Sequence, residues 1–543
     1  SPPPRPTNLP FPATPENIPK LKSWLTDAFK DTAFSKVGED GKFPALTGPL
    51  AHIHLKEGAV PRARHTPIPV PYHLRDATKE SIDADVAKGI LAPVPIGTPT
   101  EWCSRMVVQS KKDGRPRRTV DYVYLNSQCL RETHHHGSPF HLAMQVPAGA
   151  YKSILDAVDG YHSVPLDEES QLLTVFITKW GRYMYKRMPQ GYVAAGDAYT
   201  SRYDAIIAEV KRKVKIVDDT LLWDLDIEEA FFHVFDYLTL CYMNGVVFNL
   251  SKFVFCEKET EYAGLALTGH GVAPSESMLK AIVDFPTPTC LTDARSWFGL
   301  VNQVAWAYSL GPIMQPFRDL IKSKSPFVWD ETLQAAMDHS KQVIIDLVRE
   351  GVSTFDVNRV TCLAPDWSKD GMGFLLLQKY CPCPLPKAPV CCPEGWHLVF
   401  AGSRFCNDAE SRYAPIEGEA AGIVWALNKC RMFVTGCPNL IVATDHAPLL
   451  GILGDRELDK ITNPRLFKLK EKTLPYRFTI QHCPGKWHRG SDAMSRNAIA
   501  AVKAIFETCR LQPSDEDRVM SIEVETCHDH ASVEAISAYG DDS

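Results

Sequence analysis

The stretches YKSILDAVDGYHSVPL (151–166) and VKIVDDTLLWD (214–224) decide how this chain is read. In the second, Asp218 and Asp219 stand between two short apolar runs, which places them at the tip of a hairpin. Adjacent strand residues face opposite sides, but at a turn two carboxylates can approach one cation. In the first, the apolar run SILD ends on Asp156, and the turn-like AVDGYHSVPL that follows offers backbone amides to a triphosphate. Magnesium takes octahedral oxygen ligation from few protein carboxylates and leaves positions for water and phosphate. Two such ions activate an attacking 3′ oxygen and stabilise a leaving pyrophosphate.

A second set of acids lies downstream. Asp366 closes TCLAPD, Glu419 sits early in a helix, Asp445 closes NLIVATD and Asp492 starts the final helix. The elements run strand (TCLAPD), strand (GFLLLQ), strand (HLVFAGSR), helix (416–435, stopped by Gly436), strand (NLIVATD), helix, strand (RFTIQH), helix. That order is an α/β layer in which strand ends and helix starts converge. Like charges gathered there are costly without cations. Two magnesium ions offset the cost and position water for in-line attack on a phosphodiester.

The 543 residues suit about three domains. No apolar run reaches about 18 residues, and no charged-then-apolar leader is present, so an intracellular protein is expected. The 16 cysteines read as reduced core thiols. The net charge of -6 is concentrated at the end: residues 511–543 hold nine acids and one base, leaving 58 bases against 56 acids before them. A near-neutral body can still bind polynucleotide through a local basic channel.

The first sixty residues are Pro-rich, with one helical pattern around Lys20–Phe29, and read as a leader or linker. An amphipathic helix follows at RDATKESIDADVAKG. Then WCSRMVVQS and RRTVDYVYL flank Lys112-Asp113-Gly114-Arg115, a hairpin whose Asp-Gly supplies the positive-φ residues. Further strands are expected at YKSILD, LLTVFI, RYMYKRM, VKIV, TLLWD, FVFCEK and YAGLAL, with helices near 226–245 and 292–308 and a helical connector over 310–355. The run Lys211-Arg212-Lys213 reads as a solvated helix end. Cys381, Cys383, Cys391 and Cys392 form a compact cluster able to hold structural zinc, although C-x-C followed by Cys-Cys departs from paired C-x2-C spacing. His134-His135-His136 reads as a loop.

The ordered series KKDGRPRRTVDYVYLN, Asp156-Ala-Val-Asp-Gly-Tyr-His-Ser-Val-Pro-Leu, Arg187-Met-Pro-Gln-Gly and Val217-Asp218-Asp219 resembles the motifs of reverse transcriptases. PFRDLIKSKSPFVWDE, TDHAPLL, HCPG and SDAMSRN resemble the Pol polyprotein of gypsy-type LTR retrotransposons, and the likeness covers about residues 52–497. It implies metal binding by Asp156, Asp218 and Asp219. It also implies a triphosphate held by Lys111 or Lys112 with Arg117, and by the Asp159-Gly160 turn. Tyr161 matches the residue under the deoxyribose that excludes a 2′-hydroxyl, and Gln190 the residue beside nucleotide and template. Where the family has Tyr or Phe two residues before the Asp pair, this chain has Ile216. The segment between Gln190 and Asp218 is also shorter than the family's. The second acid set resembles the RNase H domain of the same family, with Glu419 a better match than Glu417 because the apolar face AAGIVWAL follows it directly. His482 or His488 then becomes a candidate for product release, and NPRLFKLKEK (463–472) for contact with the phosphates of a hybrid.

The resemblance implies an α+β multidomain chain. Its parts are a leader or linker (1–51), a reverse transcriptase of fingers, ferredoxin-like palm and start of thumb (52–285), a thumb and connection (286–355), an RNase H-like α/β domain (356–497) and a disordered acidic tail (498–543). The expected activity is RNA- and DNA-directed DNA synthesis with degradation of RNA in hybrids. Mg2+, or Mn2+, is expected at two ions per site. Partners are RNA template, DNA primer, RNA/DNA hybrid, dNTPs and the protease and integrase parts of a polyprotein, with no membrane. The setting is a cytoplasmic virus-like particle, with nuclear entry open. The rival readings are an inactive or domesticated element that binds primer-template without polymerising, and a nuclease-only protein.

Overall fold

The computed structural model describes residues 1–483 and 521–524, apart from 112, 136, 308–313, 319, 321–326, 350 and 386–394. The chain divides into two compact units, Ser1–Ala263 and Gly264–Ser543.

In the first unit the strands are, in chain order, β1 (Leu91–Pro93), β2 (Ser104–Ser110), β3 (Pro116–Val120), β4 (Tyr151–Asp156), β5 (Phe176–Thr178), β6 (Gly181–Tyr185), β7 (Lys213–Ile216), β8 (Asp219–Asp224), β9 (Val254–Glu257) and β10 (Thr260–Tyr262). One sheet has the order β1-β6-β5-β2-β3 and another β7-β8-β4-β9. The second sheet is the ferredoxin-like one. Strand β4, the Ala195–Ile206 helix, β7, β8, the Ile227–Met243 helix and β9 follow a βαββαβ order, and β4 and β8 pair antiparallel at the centre. The central strands read as nearly continuous apolar runs because helices cover them. In β8, Thr220, Leu221 and Leu222 are all buried. The Ile227–Met243 helix starts at Asp226, whose carboxylate accepts from the Glu229 amide at 2.8 Å. Gly245, at φ 78, follows its end.

Residues 1–51 are not a free leader. The Ile18–Phe29 helix buries Leu21, Leu25 and Phe29 in the same core as Phe231 and Phe235, and Leu46 and Ala51 join it. Phe29 meets Phe235 edge-on at 5.0 Å, and Trp24 lies 5.5 Å from Phe231. Pro19 sits in the first helical turn, where its missing amide costs nothing. The apolar spacing 21, 25, 29 thus outweighs the proline content, since each such side chain contributes about 1.5–3 kcal/mol on burial. The expected strand LLTVFI is also divided: Glu168–Leu173 is a helix capped by Asp167, and only Phe176–Thr178 is strand.

In the second unit, β11 (Leu265–Leu267) and β12 (Gly271–Pro274) pair antiparallel and β13 (Val352–Ser353) adds to β12. Helices Glu276–Val283, Leu291–Asn302 and Glu331–Val348 fill the connection. A six-stranded sheet follows, built from β14 (Thr361–Trp367), β15 (Gly371–Lys379), β16 (Trp396–Phe405), β17 (Leu440–Thr444), β18 (Phe478–His482) and β19 (Ser521–Val524), in the order β16-β15-β14-β17-β18-β19. The β14–β15–β16 meander is antiparallel, whereas β14–β17 and β17–β18 are parallel. The Pro415–Lys429 helix makes the first crossover and lies on β14 through Gly418, where a Cβ would stand 2.2 Å from the Trp367 ring.

Strand β19 falls in the tail expected to be disordered. Its four residues instead pair antiparallel with Phe478–Gln481. The rest of 498–543 lies outside the described residues. No helix among the described residues is long and apolar enough to cross a membrane.

Candidate active sites

Strand pairing assembles the first carboxylate group. Asp156 ends β4 directly opposite Asp219, the first residue of β8. Strands β7 and β8 are joined by the two-residue turn Val217-Asp218, with Ile216 opposite Asp219. Val217 takes φ 53, the left-handed region that a β-branched residue avoids. Lys215 Nζ donates to Val217 O at 3.0 Å, the Ala157 amide to Asp218 O at 2.9 Å, and the Tyr262 hydroxyl to Asp219 O at 2.8 Å. The strained turn is thereby fixed against the end of β4, so that Asp218 stands in the turn beside the facing pair Asp156 and Asp219.

Their electrostatics follow from that crowding. Burial, and then the facing Asp156 carboxyl, push Asp219 up to about 6. Burial also raises Asp218, partly opposed by the Tyr199 hydroxyl. Lys252 Nζ lies 3.0 Å from Asp156 Oδ2. The sequence alone did not point to this lysine. Its place comes from the β4–β9 register, where Ile154 faces Val254, so Lys252, two residues ahead of β9, arrives beside Asp156 two residues past Ile154. One oxygen, Asp218 Oδ1, is buried without a hydrogen-bond partner. Three hard oxygen donors with an orphaned carboxylate oxygen and one lysine for counter-charge fit a divalent cation by chemistry. As the side chains stand, no three His, Cys, Asp or Glu among the described residues converge as a metal cluster.

Next to the carboxylates, Asp159 adopts φ 50 and pairs with Lys36 at 3.1 Å. A Cβ on Gly160 would stand 2.4 Å from the Tyr199 ring. Tyr161 meets that ring edge-on at 6.0 Å, and burial together with the Asp218 charge raises its phenol. Gly160→Ala is therefore expected to destabilise the chain by about 1–3 kcal/mol through overpacking, read as a lower Tm. An unchanged Tm would mean that the turn and Tyr199 part easily.

Lys111, Arg117 and Gln190 are exposed. Lys111 closes the β2–β3 loop by donating its amide to Arg115 O at 2.8 Å, and Gly114 has φ 80. Arg117 faces outward, while Arg118 turns inward to Asp85 and Ser81. Lys112 lies outside the described residues. Arg187, from the same short motif as Gln190, is structural: its guanidinium donates to Phe43 O at 2.9 Å and Pro44 O at 3.3 Å. The run 211–213 is not a solvated helix end. Arg212 pairs with buried Asp224 at 2.7 Å, and Lys213 Nζ donates to Val210 O at 2.6 Å. The His134 ring sits 2.7 Å from Asp204, and His136 is outside the described residues.

The second acid group is set by parallel register. Leu363 of β14 faces Val442 of β17, and continuing three residues along both strands brings Asp366 level with Asp445, just past the end of β17. The helix carrying Glu419 crosses here: Gly418 lies on Trp367, and a Cβ at Gly422 would be 3.6 Å from Asp366 O. Glu419 stands between those two contacts. His482 Nε2 is 3.1 Å from Asp445 O, tying the Asp445 loop to β18. Glu417 has a different task. Arg465 Nη1 donates to it at 2.6 Å and Asn463 at 3.0 Å, and these partners lower its carboxyl, Asn463 most.

The basic run 463–472 is only partly free for phosphates. Arg465 serves Glu417, and Lys470 is buried with Nζ donating to Leu453 O at 3.0 Å. Lys468 and Lys472 remain exposed. Asp492 and His488 lie outside the described residues, as do Cys391 and Cys392. Cys381 and Cys383 are half-buried.

Residues 111–267 match the reverse transcriptase (RNA-dependent DNA polymerase) family, and residues 356–476 the RNase H-like domain found in reverse transcriptase. The chain is similar to the retrovirus-related Pol polyprotein from transposon gypsy of Drosophila melanogaster, 24% identical over 500 residues, covering 88% of this chain and 46% of that protein. With the Pol polyprotein from transposon opus of the same fly it is 24% identical over 444 residues, covering 79% and 42%. The chain thus spans less than half the length of these curated relatives. Among solved structures, the foamy viral protease-reverse transcriptase in complex with dsDNA has the same fold, with a TM-score of 0.69 at 15% identity over 85% of this chain and 98% of that one. The foamy viral enzyme with an RNA/DNA hybrid gives 0.66 at 16% identity, over 86% and 62%.

Proposed function

We propose that this chain, which carries a reverse transcriptase domain and the RNase H-like domain of that family and is of the gypsy-type retrotransposon kind, copies RNA and then DNA into DNA and cuts the RNA of the resulting hybrid. The observation that carries the synthetic half is the facing pair Asp156 and Asp219 beside hairpin-tip Asp218.

Asp156, Asp218 and Asp219 would hold divalent ions in the first site, and Asp366, Glu419, Asp445 and Asp492 in the second. Bound there, the ions supply Lewis-acid activation of the attacking oxygen and charge stabilisation at the leaving one. The remaining work belongs to side chains. Lys252 offsets the Asp156 charge. Tyr161, carried on the Gly160 turn and packed edge-on against Tyr199, provides the floor for the sugar and excludes a 2′-hydroxyl. Lys111 or Lys112, with Arg117, takes the triphosphate, Arg117 through a planar fork suited to phosphate oxygens. Gln190 lies alongside nucleotide and template. His482 orients the loop that presents Asp445. The partners on this reading are RNA template, DNA primer, hybrid and dNTPs, with protease and integrase parts of one polyprotein, working inside the cell in a virus-like particle.

The test is dNTP incorporation into a DNA primer annealed to RNA and, separately, to DNA, with cleavage of a preformed hybrid followed in parallel. Incorporation on both templates with hybrid cutting is expected. Gel-shift binding without incorporation would replace this reading with that of a primer-template binder, and cutting alone with that of a nuclease.

The burial of Asp219 opposite Asp156 also sets a pH dependence. Asp219 is raised to about 6, so its protonated form contributes stability that is complete below the ordinary carboxylate pKa and lost as pH rises through about 6. The metal-free chain is expected to lose stability between about pH 4 and 6, and Mg2+ to raise Tm more at pH 7.5 than at pH 5. An equal Mg2+ effect at both pH values, or the same difference in Asp219→Asn, would count against the pair as a cation site.

A further inference from the structure

The first fifty residues do more than complete a core. Beyond the Ile18–Phe29 helix they hydrogen-bond to the chain around the Asp159-Gly160-Tyr161 turn. Ala33 O accepts the Phe248 amide at 2.9 Å, and the neighbouring Val247 O accepts the Val158 amide at 2.8 Å. The Leu46 amide donates to Ser163 O and the Ala51 amide to Pro165 O, both at 2.8 Å. Arg187 joins the same layers, donating to Phe43 O at 2.9 Å and to His162 O at 3.4 Å. Residues 33–51 are thus tied to the chain on either side of the turn.

One side chain of this segment reaches the turn itself. Lys36 Nζ donates to Asp159 Oδ2 at 3.1 Å. Its neighbours hold it there: Phe34 packs on the Phe253 ring at 5.5 Å, while the Ser35 hydroxyl donates to Val37 O at 2.9 Å and accepts the Val37 amide at 3.2 Å, closing a tight bend around Lys36. Both charged groups are about half exposed, Lys36 at 50% and Asp159 at 44%, so the pair adds little to stability. Electrostatics at the turn give it another task. Asp159, fixed at φ 50, puts a carboxylate in the turn whose amides would face a triphosphate, and like charge beside an anionic ligand opposes binding.

We propose that Lys36 is a positioning residue for the incoming dNTP: by holding the Asp159 carboxylate it offsets that charge and keeps it off the triphosphate. The segment before residue 52 is on this account part of the nucleotide site, although it lies outside the 111–267 match to the polymerase family. The inference rests on the polymerase reading of the first site.

The experiment is a double-mutant cycle in the full chain on a DNA primer and DNA template, with Lys36→Met, Asp159→Asn and the two combined. Asparagine removes the charge and still accepts the left-handed backbone. Two quantities are read: the KM and kcat for dNTP in extension, and the dNTP concentration that half-saturates the ternary complex on a dideoxy-terminated primer, where no chemistry occurs. Lys36→Met is expected to raise the KM and the half-saturating dNTP about fivefold, the upper end for a half-exposed ion pair. Tm should stay at the parent value and kcat within about twofold, Lys36→Arg should restore the KM, and Lys36→Met should have no further effect in the Asp159→Asn background. Unchanged dNTP binding in Lys36→Met, or a lower Tm with unchanged binding, would make the pair a surface contact and overturn the proposal while leaving the polymerase reading intact. An equal loss in the Asp159→Asn background would also overturn it, because Lys36 would then act without Asp159. A parent chain that neither extends the primer nor forms the dNTP-dependent complex would remove the reading of the site, and this inference with it.

Discussion

Asp219→Asn is expected to reduce primer extension about a thousandfold or more, the rate equivalent of several kcal/mol of lost transition-state stabilisation, and to leave hybrid cleavage within about twofold, the scatter expected for a site not touched. The substitution keeps size and shape at the head of β8 and removes only the charge that faces Asp156. It also relieves the repulsion that helps to hold Asp219 near 6, so the folded chain should be as stable as the parent or more so at neutral pH. Gain of stability with loss of activity is the signature of a strained charged site, and it separates this outcome from misfolding. Extension surviving within tenfold would mean that Asp156 and Asp218 suffice, or that the reaction is elsewhere.

Asp445→Asn is expected to have the opposite profile: hybrid cleavage down at least about a hundredfold with extension retained. The contrast with a nearby acid makes this test sharp. Glu419→Gln should act like Asp445→Asn, because Glu419 follows Gly418 on the helix that crosses the end of β14 at Trp367 and Asp366. Glu417→Gln should instead retain cleavage and lower Tm by a few degrees, because Glu417 ties Arg465, Asn463 and its own helix start together. Loss of cleavage in Glu417→Gln with normal activity in Glu419→Gln would reverse the two assignments.

Much of the fold was legible because local signals agreed with one another. Apolar runs ending on an acid became strands ending on that acid, as at Asp156, and Val217-Asp218 became a two-residue hairpin turn. The meander and crossover of the second unit followed from strand and helix order. What failed to show were effects that depend on packing between distant segments. Proline content hid the Leu21, Leu25, Phe29 face of a core helix. A basic run at 211–213 looked solvated because its acceptors, Asp224 and the carbonyl of Val210, are recognisable only once the chain has folded. Lys252 comes to the carboxylates through register, and nothing adjacent in sequence marks it. For the second acid group, register accounts for Asp366 and Asp445 but leaves Asp492 outside the described residues.

The most direct measurement is extension of a DNA primer on an RNA template labelled at its 5′ end, with Mg2+ and dNTPs, for the parent chain and Asp218→Asn. Primer lengthening that disappears in Asp218→Asn while the labelled RNA still shortens is the predicted result, and it would establish two independent catalytic sites in one chain. RNA shortening without primer lengthening in the parent would contradict it, and would leave a nuclease beside a silent polymerase fold.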